Sequence, residues 1–373
     1  MDATQADQLA RRLWGLRTRR DLARALSGVA AAPLLSGANV AAGKKKRPVC
    51  LDGKTIKATP KKRKKLLKRG ATTGACPGGC SPQCNGVSCG GSDGCGGTCG
   101  CAAGSICHEG ACTPCTVACT GTPLACGIEL DLALEEGGTI FACPGRYLGS
   151  FDVRKNTTLV GAGSGDDPAT STILDAGGAN QHVVHFTKNG TQDTLRLTGL
   201  RVTGARYGAS GGGLYLGEGL KVRVTNCAIT GNKADASGGG IWSRADLRLE
   251  NSTVTDNESG TVGINGGGIA LYAGRSVITD CVIANNTSHS YGGGLYLQGA
   301  AAEVTVTGTE IRENQALRGG GIALDVDATV TLDSATSVTG NTASELGGGV
   351  ACFTGTFTQN GATISGNFAP RQI

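Results

Sequence analysis

Residues 211–232 read GGGLYLGEGLKVRVTNCAITGN and contain every part of a repeat that continues to the end of the chain. Three consecutive glycines occur six times, at intervals of 27, 28, 26, 27 and 28 residues. The triplets begin at Gly211, Gly238, Gly266, Gly292, Gly319 and Gly347. Most are preceded by the pattern Val/Ile-x-x-Asn, which ends at Asn232, Asn257, Asn286, Asn314 and Asn341, and once more at Asn367. Periods of this length are typical of a solenoid, whose units bury a core only by packing on their neighbours.

Two solenoids have compatible periods, the leucine-rich horseshoe and the parallel β-helix. Residues 224–232 can be fitted to the leucine-rich pattern, but the remainder of each unit, as in residues 319–331, is rich in glycine and β-branched residues. That composition disfavours a helix. Three short strands per unit, at 214–216, 220–224 and 228–230, fit the alternation better. Glycine permits positive φ at the corners, and a buried asparagine can satisfy turn amides above and below it. The sequence therefore favours the parallel β-helix.

These repeats resemble those of the right-handed parallel β-helix proteins of the pectin-lyase-like superfamily, which include bacterial surface proteins. The resemblance covers about residues 126–373. Residues 128–136 resemble the amphipathic cap helix of that family, and residues 137–147 and 158–163 resemble its first coil. The resemblance implies an all-β, right-handed, single-stranded parallel β-helix of about eight to nine coils with an N-terminal cap helix. No equivalent cap is visible at the other end, where Phe368 is the expected plug.

The first 43 residues are predicted to be an export signal. Arg19-Arg20, followed by the weakly apolar stretch 25–42, resembles a twin-arginine signal peptide. The alternative is a basic N-terminal helix that stays in the cytoplasm. The apolar stretch is too short to span a membrane, and no other segment qualifies as a transmembrane helix. We therefore expect a secreted, extracellular or cell-surface protein.

Cysteine usage predicts a disulfide-rich, loop-dominated region over residues 76–125. Of 17 cysteines, 12 fall between Cys76 and Cys126, where large apolar residues are almost absent. A segment of this kind in an exported chain needs disulfides, although zinc bound through Cys112 and Cys115 is an alternative. The disulfide candidates are Cys50, Cys76, Cys80, Cys84, Cys89, Cys95, Cys99, Cys101, Cys107, Cys112, Cys115, Cys119, Cys126 and Cys143.

Four cysteines near or within the repeats are interpreted separately. Cys126 and Cys143 flank the cap helix, and we expect them to staple it to the first strand. Cys227 and Cys281 fall two layers apart in one core column, which is too far for a disulfide. They are predicted to be small core residues.

Residues 44–75 form a basic segment with 13 basic residues and one acidic residue. Residues 1–43 carry six arginines and three aspartates, so subtracting +12 and +3 from the net charge of +6 leaves −9 for residues 76–373. Dense basic clusters bind polyanions through charge. The candidate residues are Lys61, Lys62, Arg63, Lys64, Lys65, Lys68 and Arg69. The alternative is a solvated linker without a ligand.

The repeat places an aromatic column on the outer side of one sheet. If the leucines and isoleucines after each glycine triplet point inward, the intervening residues that point outward include Tyr215, Trp242 and Tyr296, with Tyr272 beside them. Aromatic rings on a flat sheet could stack against a sugar chain, so a polysaccharide or envelope glycan is the predicted partner. The alternatives are that other segments cover these rings or that a bulge reverses the register.

Catalytic signatures are weak. The resemblance implies cleavage of acidic polysaccharide, by a lyase reaction that often uses calcium or by hydrolysis between paired carboxylates. The candidates are Asp256 and Glu313, which fall two layers apart. Asp166, Asp167, Asp325 and Asp327 are candidate calcium ligands, and no other cofactor is predicted. His182 and His185 are expected on opposite strand faces.

The sequence therefore favours an exported protein that binds a glycan or another surface partner without catalysis. The alternatives are a polysaccharide lyase or glycoside hydrolase acting on acidic polysaccharide, and a structural surface rod. The sequence does not indicate an oligomeric state.

Overall fold

The structure is a computed structural model that describes residues 101–371 except 188–192 and 261–264. Before residue 101 it describes only residues 47–51, 54–58, 72–73, Lys64 and Cys89. The chain divides into two compact units, one containing the strands before residue 74 and the other containing the helix and the solenoid.

Strands β1 (Arg47–Leu51), β2 (Lys54–Ala58) and β3 (Thr72–Thr73) form an antiparallel sheet in the order β2-β1-β3. Further along the chain, β4 (Ser105–His108) and β5 (Ala111–Pro114) form a two-stranded sheet.

Helix α1 spans Pro123–Glu136 and begins five residues earlier than the sequence predicted. The Thr122 side chain accepts a hydrogen bond from the Ala125 N–H, and a proline in the first turn has no N–H to leave unpaired. Leu130 and Leu134 enter the main core, and the helix packs against the first strands of the solenoid. The predicted cap helix is thus confirmed.

Three long parallel sheets run along the solenoid, and each described coil except the last contributes one strand to each of them. The nine strands of sheet A are β6 (Gly138–Phe141), β9 (Thr157–Val160), β12 (Thr194–Thr198), β16 (Lys221–Thr225), β20 (Asp246–Glu250), β24 (Gly274–Thr279), β28 (Ala302–Thr307), β32 (Ala328–Leu332) and β36 (Gly355–Gln359). The nine strands of sheet B are β7 (Gly145–Leu148), β10 (Thr172–Asp175), β13 (Leu200–Thr203), β17 (Ala228–Thr230), β21 (Thr253–Thr255), β25 (Val282–Ala284), β29 (Glu310–Arg312), β33 (Ser337–Thr339) and β37 (Thr363–Ser365). The eight strands of sheet C are β8 (Phe151–Val153), β11 (Val184–Phe186), β15 (Leu214–Leu216), β19 (Ile241–Ser243), β23 (Ile269–Leu271), β27 (Leu295–Gln298), β31 (Ile322–Asp325) and β35 (Val350–Cys352). These sheets confirm an all-β parallel β-helix of about eight coils.

A fourth parallel sheet, sheet D, lies between sheets B and C along the chain and was not predicted. Its strands are β14 (Arg206–Tyr207), β18 (Lys233–Ala234), β22 (Glu258–Ser259), β26 (Thr287–Ser288), β30 (Gln315–Arg318) and β34 (Thr342–Leu346). In five successive coils the residue two positions after the corner asparagine is a buried alanine or serine: Ala234, Ser259, Ser288, Ala316 and Ala343. This Asn-x-Ala/Ser spacing was available in the sequence and identifies the extra strand.

The glycine triplet turns the chain from sheet D into sheet C. Gly266 adopts φ +72°, a conformation that side chains disfavour. Gly267 has no room for a side chain, because an added Cβ would lie 2.4 Å from the Thr287 carbonyl oxygen. Gly266 is thus required by its backbone conformation and Gly267 by the lack of space for a side chain.

A ladder of buried asparagines lines the corner between sheets B and D. Asn286 Nδ2 donates to Asn314 Oδ1 at 3.0 Å and to the Val254 carbonyl at 2.8 Å, and the Asn286 N–H donates to the same Oδ1 at 3.0 Å. Equivalent bonds run from Asn232 to Asn367. The ladder satisfies corner amides in successive coils, as the sequence predicted.

The two ends of the core differ. At the first coil α1 covers the apolar interior, whereas at the last coil Val350, Phe357 and Ile364 are only partly buried. Phe368 is 63% exposed. The prediction that Phe368 plugs this end is therefore wrong, because its side chain lies outside the core.

The disulfides beside the helix differ from the prediction that Cys126 and Cys143 together staple the helix to the first strand. Cys126 bonds Cys119, and Cys143 bonds Cys115, so Cys126 and Cys143 do not join each other. Both bonds instead tie the segment before α1, one to the helix and one to the first coil. Cys89, Cys101, Cys107 and Cys112 are also disulfide-bonded. The remaining disulfide candidates lie outside the residues whose side chains are described.

Candidate functional site

The outer side of sheet C carries one continuous column of residues. We call this column, together with the aromatic rings that touch it, the aromatic face. Strand pairing aligns Asp152, His185, Tyr215, Trp242, Ala270, Tyr296, Ala323 and Ala351 on neighbouring strands. From Asp152 to Ala323, the residues on either side of each position are buried, as with Leu214 and Leu216 beside Tyr215. The register therefore has the inside and outside that the sequence predicted.

Rings along this face contact one another in an unbroken series. The distances between ring centroids are 4.9 Å for His182–His185, 4.1 Å for His182–Tyr207, 5.1 Å for His182–Tyr215, 5.0 Å for His185–Tyr215, 4.5 Å for Tyr215–Trp242, 5.6 Å for Trp242–Tyr272, 5.9 Å for Tyr272–Tyr296, 6.4 Å for Tyr291–Tyr296 and 5.1 Å for Tyr291–Phe353. The Arg318 guanidinium lies 5.6 Å from the Tyr291 ring centroid. The series extends from β11 to β35, about 29 Å at the usual strand spacing.

The orientation of the rings limits what they can contact. Tyr215 and Trp242 are nearly parallel, at 14°, so each covers one face of the other. A sugar cannot stack on those covered faces. Trp242 and Tyr272 are inclined by 36°, and both are partly exposed. The exposed surface here therefore consists of ring edges and inclined faces rather than rings lying flat on the sheet.

Tyr296 requires a correction. Its side chain is 0% exposed, because Tyr272, Tyr291 and the alanines of neighbouring coils surround it. Its hydroxyl donates to Asp325 Oδ2 at 3.4 Å. Tyr296 therefore supports the aromatic face from below and does not contact a ligand directly.

A cluster of ionisable groups lies at one end of the aromatic face. His185 Nδ1 lies 2.9 Å from Asp152 Oδ1, and Arg154 Nη2 donates to Asp152 Oδ2 at 3.1 Å. His182 Nδ1 lies 2.6 Å from the Gly211 carbonyl oxygen. Since a carbonyl only accepts, this Nδ1 carries a proton and the Nε2 of the neutral ring carries the lone pair.

The expectation that the two histidines point to opposite faces is wrong. Their rings are stacked at an interplanar angle of 3°. The alternation rule holds only within a strand, and His182 lies before β11 begins at Val184. The bend at that point turns its ring onto the same face as His185.

Burial and hydrogen bonding set the charges of this cluster. Burial lowers the pKa of His182 to about 4, although its hydrogen bond to Gly211 opposes the shift. The hydrogen bond from His185 holds the pKa of Asp152 below its usual value, against the effect of burial. At neutral pH the cluster therefore contains an ionised Asp152 and an uncharged His182.

Residues 183–369, just over half of the 373-residue chain, match the family described as the right handed beta helix region. The chain belongs to the right-handed β-helix family. Comparison with curated proteins finds no match, and comparison with solved structures finds none either. A β-helix can serve many functions, so the function of this one must be argued from its own residues.

The predicted catalytic carboxylates of this β-helix occupy strained corners. Asp256 and Glu313 adopt φ +57°, and Asn285 adopts φ +56° between them. Aspartate and asparagine tolerate this left-handed conformation comparatively well. Glu313 also pairs with Arg312 at 2.7 Å. Arg312 also pairs with Glu310 at 3.3 Å, so Glu313 belongs to a small network of ion pairs at this corner.

The four candidate calcium ligands do not meet at one site. Asp167 Oδ1 accepts from the Ala169 N–H, and Asp325 accepts from Tyr296 and the Val326 N–H. Within residues 101–371, excluding their two undescribed gaps, no cluster of three potential metal ligands includes Asp166, Asp167, Asp325 or Asp327. The structure gives no geometric support to a calcium site at these residues.

The basic polyanion candidates at residues 61–69 lie outside the described residues, apart from Lys64, which is exposed. Cys227 and Cys281 are buried and carry free thiols, as predicted, with Ser252 of the intervening coil hydrogen-bonded to the Cys227 N–H. Burial raises the pKa of the Cys281 thiol to about 11, which suits an unreactive core residue.

Sequence reasoning missed the ionisable end of the aromatic face, although a signal was present. Phe151-Asp-Val and Val184-His-Phe match Leu214-Tyr-Leu once the repeat is extended backward. That extension puts Asp152 and His185 in the Tyr215 column. The glycine triplet is absent from these early coils, which concealed the register.

Proposed function

We propose that this β-helix is an exported protein that binds a glycan chain along the aromatic face without cleaving it. The continuous series of ring contacts supports the proposal most directly. A run of about 29 Å matches an extended chain of several sugars better than a small molecule. Tyrosine and tryptophan suit such a ligand because each combines an apolar ring with a hydrogen-bonding group.

The scaffold suits binding by preorganisation. Tyr215 and Trp242 belong to strands whose inner side is buried, and neighbouring rings restrict one another, so little side-chain entropy remains to be lost on binding. Ala270 and Ala323 are buried with Tyr296 beneath partly exposed rings, and this packing holds those rings on the sheet.

Disulfides support the exported location. Bonds such as Cys115–Cys143 and Cys119–Cys126 persist in oxidising compartments. None of the helices in the described residues is long and apolar enough to cross a membrane. On the ground of the disulfides we place the protein outside the cytoplasm, with export through the predicted twin-arginine signal.

Affinity gel electrophoresis with neutral and acidic polysaccharides tests glycan binding. We expect Tyr215→Ala/Trp242→Ala to lose at least tenfold in affinity for the retained polysaccharide. Phe368→Ala is the matched control, because it removes an exposed aromatic ring that lies off the aromatic face. Equal retention of all three proteins would refute the proposal, and a lack of retention on every polysaccharide would favour a surface rod.

The ionisable cluster favours a second function, cleavage of an acidic polysaccharide. Asp152 orients His185, and neutral His182 offers a lone pair for a proton. In a lyase reaction a base removes the proton α to a uronate carboxylate, the bond to the leaving oxygen breaks, and a double bond forms. Arg154 lies beside the cluster and could pair with the carboxylate.

The two functions are separated by following unsaturated-product absorbance and new reducing ends over the same polysaccharides. Binding alone predicts no product. Product formation that His185→Ala abolishes and Phe368→Ala leaves unchanged would replace the binding proposal with the catalytic one.

A further inference from the structure

The outer side of sheet A carries a column of three arginines. The aromatic face lies on a different sheet, sheet C. Strand pairing aligns Arg196, Arg223 and Arg248 on the neighbouring strands β12, β16 and β20. All three are exposed, while the residues on either side of each are buried in the core. Neighbouring strands lie about 4.8 Å apart, so the three guanidinium groups rise from a span of about 10 Å.

Basic residues are concentrated on this side of the solenoid. The chain after residue 75 has 16 basic and 25 acidic residues, yet five of those basic residues line one shallow depression here. They are Arg196, Lys221, Arg223, Arg248 and Arg275. The depression measures about 690 Å³, and Asp246 and Glu303 also line it. A concentration of basic side chains on an otherwise acidic domain attracts anions to that surface.

Only the middle arginine of the column is neutralised. Nε and Nη2 of Arg223 donate to Glu250 Oε2 at 3.0 and 2.6 Å. In the part of the chain that the structure describes, no carboxylate lies within ion-pair distance of Arg196 or Arg248. Like charges opposite each other on neighbouring strands destabilise a sheet. A bound anion would relieve that repulsion.

We propose that the outer side of sheet A binds a linear glycan that carries sulfate ester groups. A carboxylate has two oxygens and is satisfied by one guanidinium, as Glu250 is by Arg223. A sulfate ester has three terminal oxygens and can accept hydrogen bonds from guanidinium groups on neighbouring strands at once. The column supplies two such neighbouring pairs, Arg196 with Arg223 and Arg223 with Arg248.

The surroundings of the column favour a glycan over nucleic acid. None of the described residues lining the depression is aromatic, so it offers no platform on which unpaired bases could stack. Asp246, Glu303 and Glu250 would oppose the continuous phosphate backbone of a duplex. This surface lies on a different sheet from the aromatic face, so the inference goes beyond the proposed function.

Titration of the whole exported chain with dextran sulfate, carboxymethyl-dextran and unmodified dextran of equal length tests the proposal. We expect Arg196→Gln/Arg248→Gln to weaken binding of dextran sulfate at least tenfold and to reduce the slope of log affinity against log salt by about 2. Arg201→Gln/Arg206→Gln is the matched control, because it removes the same charge from sheets B and D. The basic segment at residues 44–75 is retained in every protein and contributes equally.

Three outcomes would overturn the inference. Equal weakening in both double variants would mean that net charge, not this column, determines binding. Equal affinity for carboxymethyl-dextran would exclude recognition of sulfate. Tighter binding of duplex DNA, lost in the same variant, would assign the surface to nucleic acid.

Tyr215→Ala/Trp242→Ala should leave dextran sulfate binding unchanged, which separates this surface from the aromatic face. Unchanged thermal midpoints of the variants confirm that they fold.

Discussion

Single residues in this chain are constrained mainly by the backbone of the next coil. Gly267 packs against the carbonyl groups of Thr287 and Gly293, leaving no space for Cβ. His182 is constrained in a different way, because its ring is held between the Gly211 carbonyl and neighbouring rings. In both cases the constraint comes from a residue some 20 to 29 positions away, which is about one repeat.

Gly267→Ala should destabilise the β-helix by roughly 3 kcal/mol, because the coils must separate to admit the methyl group. Urea unfolding measures this change. Gly121→Ala is the control, since its nearest neighbour would be the Ala125 side chain at 3.3 Å and the site is exposed. Similar midpoints for the two variants would show that the coil spacing is softer than these contacts indicate.

His182 should make the protein less stable in acid. Its pKa is about 4 in the folded state and about 6.5 when unfolded, so between these values the unfolded chain binds more protons. Stability therefore falls as the pH drops from 7 to 4.5, by roughly 2 kcal/mol once partial screening by water is allowed for. His182→Asn keeps a donor toward Gly211 and removes the titration. Parallel pH profiles for both proteins would contradict this assignment.

Among the structural elements, the asparagine ladder links successive coils where the strands are shortest. Strands of sheets B and D contain as few as two or three residues, too few for strong pairing by themselves. Asn286 compensates by bonding groups in the coils before and after it.

Asn286→Ala should cost roughly 4 kcal/mol, because the Asn257 N–H and side-chain amide lose their shared acceptor and the Val254 carbonyl loses a donor. Asn367→Ala should cost less, since the same ladder position is partly exposed at the last coil. Denaturant titration of both variants measures the difference. Equal losses would mean that burial does not set the strength of the ladder.

Two disulfides fasten the segment before helix α1, one to the helix and one to the first coil. Cys115→Ser/Cys143→Ser opens a loop of 28 residues and Cys119→Ser/Cys126→Ser a loop of seven. Loop entropy predicts losses of about 3.5 and about 2.5 kcal/mol. Thermal unfolding under oxidising conditions tests the order, and a larger loss for the shorter loop would refute the entropic explanation.

The whole solenoid is asymmetric along its axis. Helix α1 covers the first coil, whereas the strands β35, β36 and β37 form open sheet edges above a partly exposed core. Solenoid coils are stabilised by their nearest neighbours, and among the described residues the last coil packs on a coil at one side only.

Hydrogen exchange should therefore begin at the last coil. Amides of β37 should exchange well before those of β25, which belongs to the same sheet but has coils on both sides. Mass spectrometry of peptides from the exchanged protein measures both. Uniform protection along sheet B would indicate that another molecule covers the open end.

The sequence alone determined the β-helix, its cap helix, the inward and outward residues of sheets A and C, and the asparagine ladder. The β-helix and the ladder follow from a pattern that recurs in every coil, and the cap helix follows from the resemblance of residues 128–136 to that of known β-helices. Only the tertiary structure decided the rest. Ring orientation, the burial of Tyr296, the stacking of His182 on His185 and the cysteine pairings all depend on contacts between coils or beyond strand ends. Neighbouring coils lie close enough for their side chains to block or orient one another. These contacts between coils cannot be read from the linear pattern of the sequence.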